Sequence, residues 1–241
     1  MIKQAIIPLA GLGTRLLPLS SVIPKELLPI NGKPALEYIL DECIKSGIRE
    51  IIFIISRDKK SIKKYFYKDS FYKKIIKKKR NDKRLKLEYQ KIKKYKKMIK
   101  FIYQNTPKGT GDAVLRCKNL IKSKYFLMLM PDDLIIKKNC SKSLIQLCKK
   151  YNSSVIASKR VKKTNVSRWG IFDIEKINKR DFIIKDVVEK PTIKNAPSRY
   201  AVIGRYILPK KIFKILEKQK AGQNGEIHIT DSIRKLILQK N

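Results

Sequence analysis

Residues 10–29 read AGLGTRLLPLSSVIPKELLP. They follow a short apolar run, Gln4-Ala5-Ile6-Ile7-Pro8-Leu9, that predicts a buried first strand. The strand gives way to a turn of small residues, Ala10-Gly11-Leu12-Gly13-Thr14. With no Cβ at Gly11 and Gly13, backbone N–H groups can turn inward and approach a phosphate or a base closely, and positive φ carries little penalty. Arg15 adds a forked cation beside that nest, and Lys25 a compact one. The spacing is not the dinucleotide fingerprint, which wants a third glycine where Leu16 stands, and not a P-loop, which wants Gly-Lys-Ser/Thr before a helix. Pro18 and Pro24 keep the segment extended, so its cations sit on a loop that can wrap a polyphosphate.

Downstream, Asn31-Gly32-Lys33-Pro34 is a turn with Pro34 at the first position of a helix. Apolar residues at Leu36, Ile39, Leu40, Cys43 and Ile44 form a helical stripe over Ala35 to Ser46, which Gly47 ends. Ile51-Ile52-Phe53-Ile54-Ile55 is β-branched and wholly apolar, a strand covered on both faces. Strand, helix, strand make a parallel βαβ unit. Ser61 to about Lys97 is helical, basic and broken near Asn81-Asp82, which reads as a surface excursion over about residues 57–98. Ile99 to Tyr103 returns to the sheet. A second glycine-rich loop, Gln104 to Val114, then runs into a helix through Leu120. Tyr125 to Met130 is a strand ending in Pro131-Asp132-Asp133, and carboxylates at such a strand end sit where parallel sheets bind ligands. A helix (Ser141 to Tyr151), a strand (Ser154 to Arg160), a stretch from Asp181 to Val188 that leads into Glu189-Lys190-Pro191, a strand (Ala201 to Tyr206), a helix (Pro209 to Lys218) and a last helix capped by Thr230 or Asp231 complete the pattern.

The 241 residues are enough to bury one α/β core, so one domain spanning 1–241 is expected. No apolar run reaches the roughly 18 residues that span a bilayer, and the amino end lacks a signal-peptide core, so the expected location is the cytoplasm, with no membrane partner. Cys43, Cys117, Cys140 and Cys148 show no C-x-x-C pair and no nearby His, which argues against zinc and disulfides. His228, the single histidine, reads as structural or as surface. The formal charge is +38, and Arg57 to Lys100 alone holds 21 Lys and Arg against 4 Asp and Glu. Tyr65, Phe66, Tyr67, Phe71 and Tyr72 interleave with these lysines, as in single-strand binders; they read instead as the apolar stripe of helices with solvated lysines, and nucleic acid is not the expected partner.

Gly11-x-Gly13-Thr14-Arg15 followed by Pro24-Lys25-Glu26-Leu27-Leu28-Pro29 resembles the signature of the sugar-1-phosphate nucleotidylyltransferases. Within that group Ile23-Pro24-Lys25-Glu26 most resembles the bacterial UTP–glucose-1-phosphate uridylyltransferases, whose thymidylyltransferase relatives usually carry Gln after the Lys. The resemblance implies a Rossmann-like α/β fold with a mixed, mainly parallel sheet flanked by helices. It implies that UTP and glucose 1-phosphate become UDP-glucose and diphosphate with the help of Mg²⁺. Arg15 and Lys25 would then act on the triphosphate, with the loop Ala10, Gly11, Leu12, Gly13 and Thr14 around the nucleotide. Gln104 and Gly109 would recognise uracil, Asp132 would hold the metal, and Gly170, Glu189 and Lys190 would hold the sugar phosphate, with Trp169 as a packing wall. Family members usually continue past the last helix with a second metal-associated Asp and helices that help to form oligomers; nothing here replaces that Asp, which leaves the metal shell and a homo-oligomer open. Two alternatives stand beside this reading: the same chemistry with dTTP or another sugar phosphate, and a degraded, non-catalytic relative that binds polyanions.

Overall fold

The strands at the centre of the sheet, Gln4–Pro8, Glu50–Ile55 and Tyr125–Leu129, are short and buried on both faces, and helices cover them on both sides, whereas Val155–Arg160, Gly170–Lys176 and Phe182–Glu189 carry exposed charged residues. The computed structural model describes residues 2–222 and 225–239. Strand β1 (Gln4–Pro8) leads through 3-10 turns into a small hairpin, β2 (Pro29–Ile30) and β3 (Lys33–Pro34), whose tip Asn31-Gly32 has positive φ at both residues. Helix α1 (Ala35–Lys45), β4 (Glu50–Ile55), α2 (Lys60–Tyr67), α3 (Asp69–Lys78), α4 (Lys83–Met98) and β5 (Ile99–Tyr103) follow. Next come α5 (Gly109–Leu115), β6 (Tyr125–Leu129), α6 (Cys140–Tyr151) and β7 (Val155–Arg160). The chain closes with β8 (Gly170–Lys176), β9 (Phe182–Glu189), β10 (Tyr200–Pro209), α7 (Ile212–Glu217) and α8 (Ile229–Leu238).

The main sheet has the order β5-β4-β1-β6-β10-β8-β9, with β7 also paired to β10. β5, β4, β1 and β6 are mutually parallel, whereas β10 runs against β6, β7 and β8, and β9 against β8. Six of these eight strands thus point the same way, the mixed and mainly parallel sheet expected.

Alternation along β1 sorts the core into two layers. Ala5, Ile7 and Leu9 pack on one face with α1, α2, α4 and α6, and Ile6 packs on the other with α5, α7 and α8. The chain moves outward from β1 to β4 to β5 using helices on the first face, then returns to β6 across the second. A reversal of direction across a sheet requires that change of face when crossovers are right-handed. The reversal leaves a crevice between β1 and β6, the place where open α/β sheets bind ligands.

The basic segment is helical and breaks before Asp82 as expected, but a further break at Lys68 makes three helices, α2 to α4, and Asp82 caps α4 by accepting from Leu85 N at 2.9 Å. Its aromatics divide: Phe66 and Tyr95 are buried and Tyr65 and Tyr72 pack against the same core, whereas Tyr67 and Phe71, expected in the apolar stripe, are exposed. Four local expectations are corrected. The helix after Gly109 ends at Leu115, and single turns carry the chain on to Leu120. β10 runs through Pro209, where a helix was expected, because its edge pairs with Tyr125 of β6; α7 begins at Ile212. Pro34 lies one residue before α1, held in the hairpin by its pairing with Pro29. Thr230 and Asp231 lie inside α8; His228 precedes it with no side-chain cap, and the Ile229 N–H instead donates to Thr110 Oγ1 at 3.2 Å.

One buried ion pair crosses the first layer. Arg205 on β10 is fully buried and donates to both Glu42 oxygens of α1, the shortest contact being 2.8 Å, while Ser141 donates from N and Oγ to Glu42 Oε1. Removing one partner of such a pair strands a charge in the interior. Glu42→Ala is expected to cost about 3–5 kcal/mol in urea unfolding. A loss below about 1 kcal/mol, the range of an exposed pair, would show that Arg205 reaches water or another acceptor.

Candidate active site

The four parallel strands present their carboxyl ends side by side in the order β5, β4, β1, β6. In that order the residues just past each end are Gln104, the Arg57–Lys59 turn, the Gly11-Leu12-Gly13 loop and Asp132. At about 4.8 Å per strand spacing the row spans roughly 14 Å, the scale of one nucleotide.

Lys25 and Asp132 face each other across the crevice, Nζ to Oδ2 at 3.4 Å, with side chains 23% and 52% exposed. An ion pair so loose and so wet contributes about 0–1 kcal/mol, so both groups are free to exchange partners. Their sequence neighbours are held far more tightly. Glu26 accepts from the Lys59 ammonium at 2.8 and 2.9 Å in a buried pair, which fixes the turn that carries Lys25. Burial lowers the pKa of Lys59 although Glu26 opposes it, and Lys25 and Asp132 both act on Lys59 as well, so the four charges share one neighbourhood. On the other side Asp133 Oδ2 accepts the Gly204 N–H at 2.8 Å, and Arg205 Nη1 donates to the Met130 carbonyl at 3.2 Å, so the Pro131-Asp132 turn is pinned from both ends. Lys25 and Asp132 are brought together, and the loop comes with them: Gly13 has φ +73°, and a Cβ there would lie 3.6 Å from Lys25 Cδ. Ala10 is buried, whereas Gly11, Leu12, Thr14 and Arg15 are exposed; no ion pair holds Arg15 among the described residues.

Asp132 is the carboxylate left open, since Asp133 serves the backbone. Among the described residues no three His, Cys, Asp or Glu side chains form a metal cage. A cation here would take one carboxylate and complete its shell from phosphate and water, the habit of Mg²⁺.

Gln104 is buried and anchored through its N–H to the Ile55 carbonyl at 2.9 Å. Gly109, with φ +90°, lies against the segment before α8: Ile227 N donates to Lys108 O at 2.9 Å and Gly111 N to Ile227 O at 2.7 Å. A Cβ at Gly109 would sit 2.6 Å from the Ile227 carbonyl oxygen, so the glycine is required by this packing whatever else it does.

On the antiparallel side Gly170 pairs with Glu189, and a Cβ at Gly170 would meet the Glu189 carboxylate at 3.0 Å. The carboxylate occupies the space that the glycine leaves. Lys190 follows with φ +46°, a conformation that costs a non-glycine residue about 1–2 kcal/mol, and its N–H is held by the Trp169 carbonyl at 3.0 Å. Trp169 is half-buried and packs against Val166, Ile171 and Ala201, in keeping with a wall. Tyr206 lies between the two groups of carboxylates: burial raises its phenol pKa, and the charges of Asp133, Glu189 and Asp132 raise it further.

Sequence reasoning missed Lys59, Arg205 and the Ile227–Thr230 segment, which touches both the Gly109 loop and, through Thr230, Gly170. Lys59 lay within a run of lysines with nothing local to separate it from its neighbours. The free cysteines carry no metal cluster among the described residues, and burial pushes the Cys117 thiol up to about 12. No helix among the described residues is long and apolar enough to cross a membrane.

The opposed Lys25 and Asp132, the glycine loop and, two strands away, the buried Gln104 all lie at the carboxyl ends of the parallel strands. The sequence profile of the nucleotidyl transferase family matches residues 4–241, and the chain belongs to that family. It is similar to the UTP–glucose-1-phosphate uridylyltransferase of Bacillus subtilis (strain 168), 37% identical over 98% of this chain and 80% of the relative. It is 38% identical to UTP–glucose-1-phosphate uridylyltransferase 2 of Streptococcus pyogenes serotype M3, over 96% of this chain and 79% of the relative. Among solved structures, a UDP-glucose pyrophosphorylase complexed with UDP-glucose superposes with a TM-score of 0.86 at 36% identity, covering 99% of this chain and 88% of the other. A UTP-bound enzyme of the same name from Acinetobacter baumannii gives 0.87 at 33%, covering 98% and 82%. The family generally uses a divalent metal.

The left-handed backbone at Lys190 separates two effects in one variant. Lys190→Gly is expected to raise stability by about 1 kcal/mol in urea unfolding. If Lys190 holds the substrate phosphate, as the resemblance implies, the same variant is expected to lose at least about tenfold in nucleotidyl transfer. A destabilised variant of unchanged activity would contradict both halves.

Proposed function

We propose that this protein transfers a uridylyl group from UTP to α-D-glucose 1-phosphate, giving UDP-glucose and diphosphate with Mg²⁺. The observation that carries the reading is the exchangeable Lys25–Asp132 pair across the crevice beside the glycine loop. In this reading a phosphate oxygen of the sugar phosphate attacks the α-phosphorus in line. One P–O bond forms as the bond to the β-phosphate bridge breaks, and no covalent enzyme intermediate is needed.

Each side chain then has a positional task. Lys25 leaves Asp132 and turns to the α-phosphate, where charge develops, and Arg15 on the exposed loop takes the β- and γ-phosphates. The backbone of Ala10 to Thr14 wraps the nucleotide. Gln104 and Gly109 receive uracil, Glu189 accepts sugar hydroxyls over Gly170, and Lys190 holds the phosphate of the attacking sugar. Asp132 would hold Mg²⁺, which when bound neutralises triphosphate charge and helps to fix its geometry. The net positive surface raises the local concentration of anionic substrates, an effect that weakens with salt. Four free cysteines suit a reducing cytoplasm, the location proposed.

The test is diphosphate release from UTP, with dTTP, glucose 1-phosphate and other sugar phosphates in parallel. UTP with glucose 1-phosphate is expected to be the best pair, and EDTA is expected to abolish turnover. Lys25→Ala and Asp132→Asn are each expected to lower kcat by at least about 10²-fold, the usual effect of removing a group that acts on developing charge. Turnover within about twofold of the parent would remove either residue from the machinery.

A further inference from the structure

We propose that Asp112 is a positioning residue that sets which nucleobase the site accepts, by fixing the Gln104 carboxamide with its oxygen toward the base. The inference rests on the reading of Gln104 as the base contact. It adds a residue that fixes the sense of that contact.

A carboxamide offers a donor on one side and an acceptor on the other, and the two ends have almost the same shape. Gln104 could face a base with either. Here Nε2 donates to Asp112 Oδ2 at 2.7 Å and to the Gly109 carbonyl at 3.1 Å, so both its protons are taken within the loop. Turning the amide over would set Oε1 against a carboxylate and a carbonyl, three acceptors with no proton among them. A carboxylate accepts only, and it therefore rejects the flipped amide in a way that a hydroxyl or an amide would not. Oε1 has no partner among the described residues and is not among the side-chain atoms sealed in the interior, so it opens outward from a residue that is 4% exposed.

Asp112 is held in turn. It stands in the first turn of α5, and Arg116, one turn later, donates to it from Nε at 2.9 Å and from Nη2 at 3.4 Å. Gly109 and Gly111 are locked on Ile227, so neither acceptor of the Gln104 amide can drift away. A lone acceptor facing the base suits a ring with N–H at position 3, as in uracil. Cytosine has a bare nitrogen there and would meet oxygen with nitrogen lone pair. A site that leaves a buried polar group unmatched discriminates strongly against the wrong partner.

The experiment compares kcat/KM for UTP and CTP, with glucose 1-phosphate and Mg²⁺ in both, in the parent and in Asp112→Asn, Asp112→Ala and Gln104→Ala. Folding is checked by circular dichroism, and Ala at 112, the best helix former, serves if Asn does not fold. The two substrates share one triphosphate, so a general disturbance of the helix lowers both rates and leaves their ratio in place. The UTP:CTP ratio is expected to fall at least about tenfold in the Asp112 variants and in Gln104→Ala. A ratio that falls in Gln104→Ala but stays within about twofold in the Asp112 variants overturns the role of Asp112 and leaves Gln104 as the base contact. A ratio unchanged in Gln104→Ala overturns the base contact itself, and this inference with it.

Discussion

The site depends on a contrast in how tightly neighbouring charges are held. Lys25 and Asp132 are partly exposed, 23% and 52%, and 3.4 Å apart, whereas Glu26 and Lys59, one residue and one strand away, are buried at 2.8 Å. The first pair contributes at most about 1 kcal/mol and can be traded for a ligand. Breaking the second by removing one partner costs about 3–5 kcal/mol, so that pair stays as it is. The same alternation recurs at Asp132 and Asp133, where one carboxylate faces the crevice and the next holds the Gly204 N–H. An anchored residue beside a free one gives each loop a fixed backbone and an available side chain.

The sheet supplies the rest of the geometry. Reversal of the chain across the first four strands opens a crevice between β1 and β6, and the loops that line it follow directly from the strands. The antiparallel half brings Glu189 and Lys190 to the same end through β10, whose buried Tyr206 feels Asp132 and Asp133 as well as Glu189. The Ile227–Thr230 segment closes the remaining gap by lying against Gly109 and Gly170 together. Three glycines, Gly109, Gly111 and Gly170, are thus fixed by neighbouring protein atoms as well as by any need for room around a substrate.

Much of this was legible in the sequence, for a physical reason: burial on one helical face or on two strand faces leaves a local period. Ile51 to Ile55, the stripe Leu36, Ile39, Leu40 and Cys43, and the basic helices all announced themselves in that way, and Phe66 lies in the core as the stripe required. Lys25 and Asp132 were legible only because their motifs resembled a family, since nothing local says that residues 107 apart will meet. Glu42 and Arg205, 163 residues apart, gave no signal at all. The missed cap of α8 has the same origin, because Thr110 reaches Ile229 from another element. β10 overran its expected end because strand pairing with Tyr125 outweighed the tendency of Pro209 to open a helix.

The central claim is that one nucleotide bridges the glycine loop, Lys25 and Asp132, with its base toward Gln104. The most direct measurement is a crystal structure with UTP and Mn²⁺, the metal located by its anomalous signal. The account predicts a metal peak within about 2.5 Å of an Asp132 carboxylate oxygen, shared with phosphate oxygens, and uracil against Gln104. A nucleotide seated instead in the separate basic cavity lined by Arg160, Lys163 and Arg199, with no metal at Asp132, would contradict it.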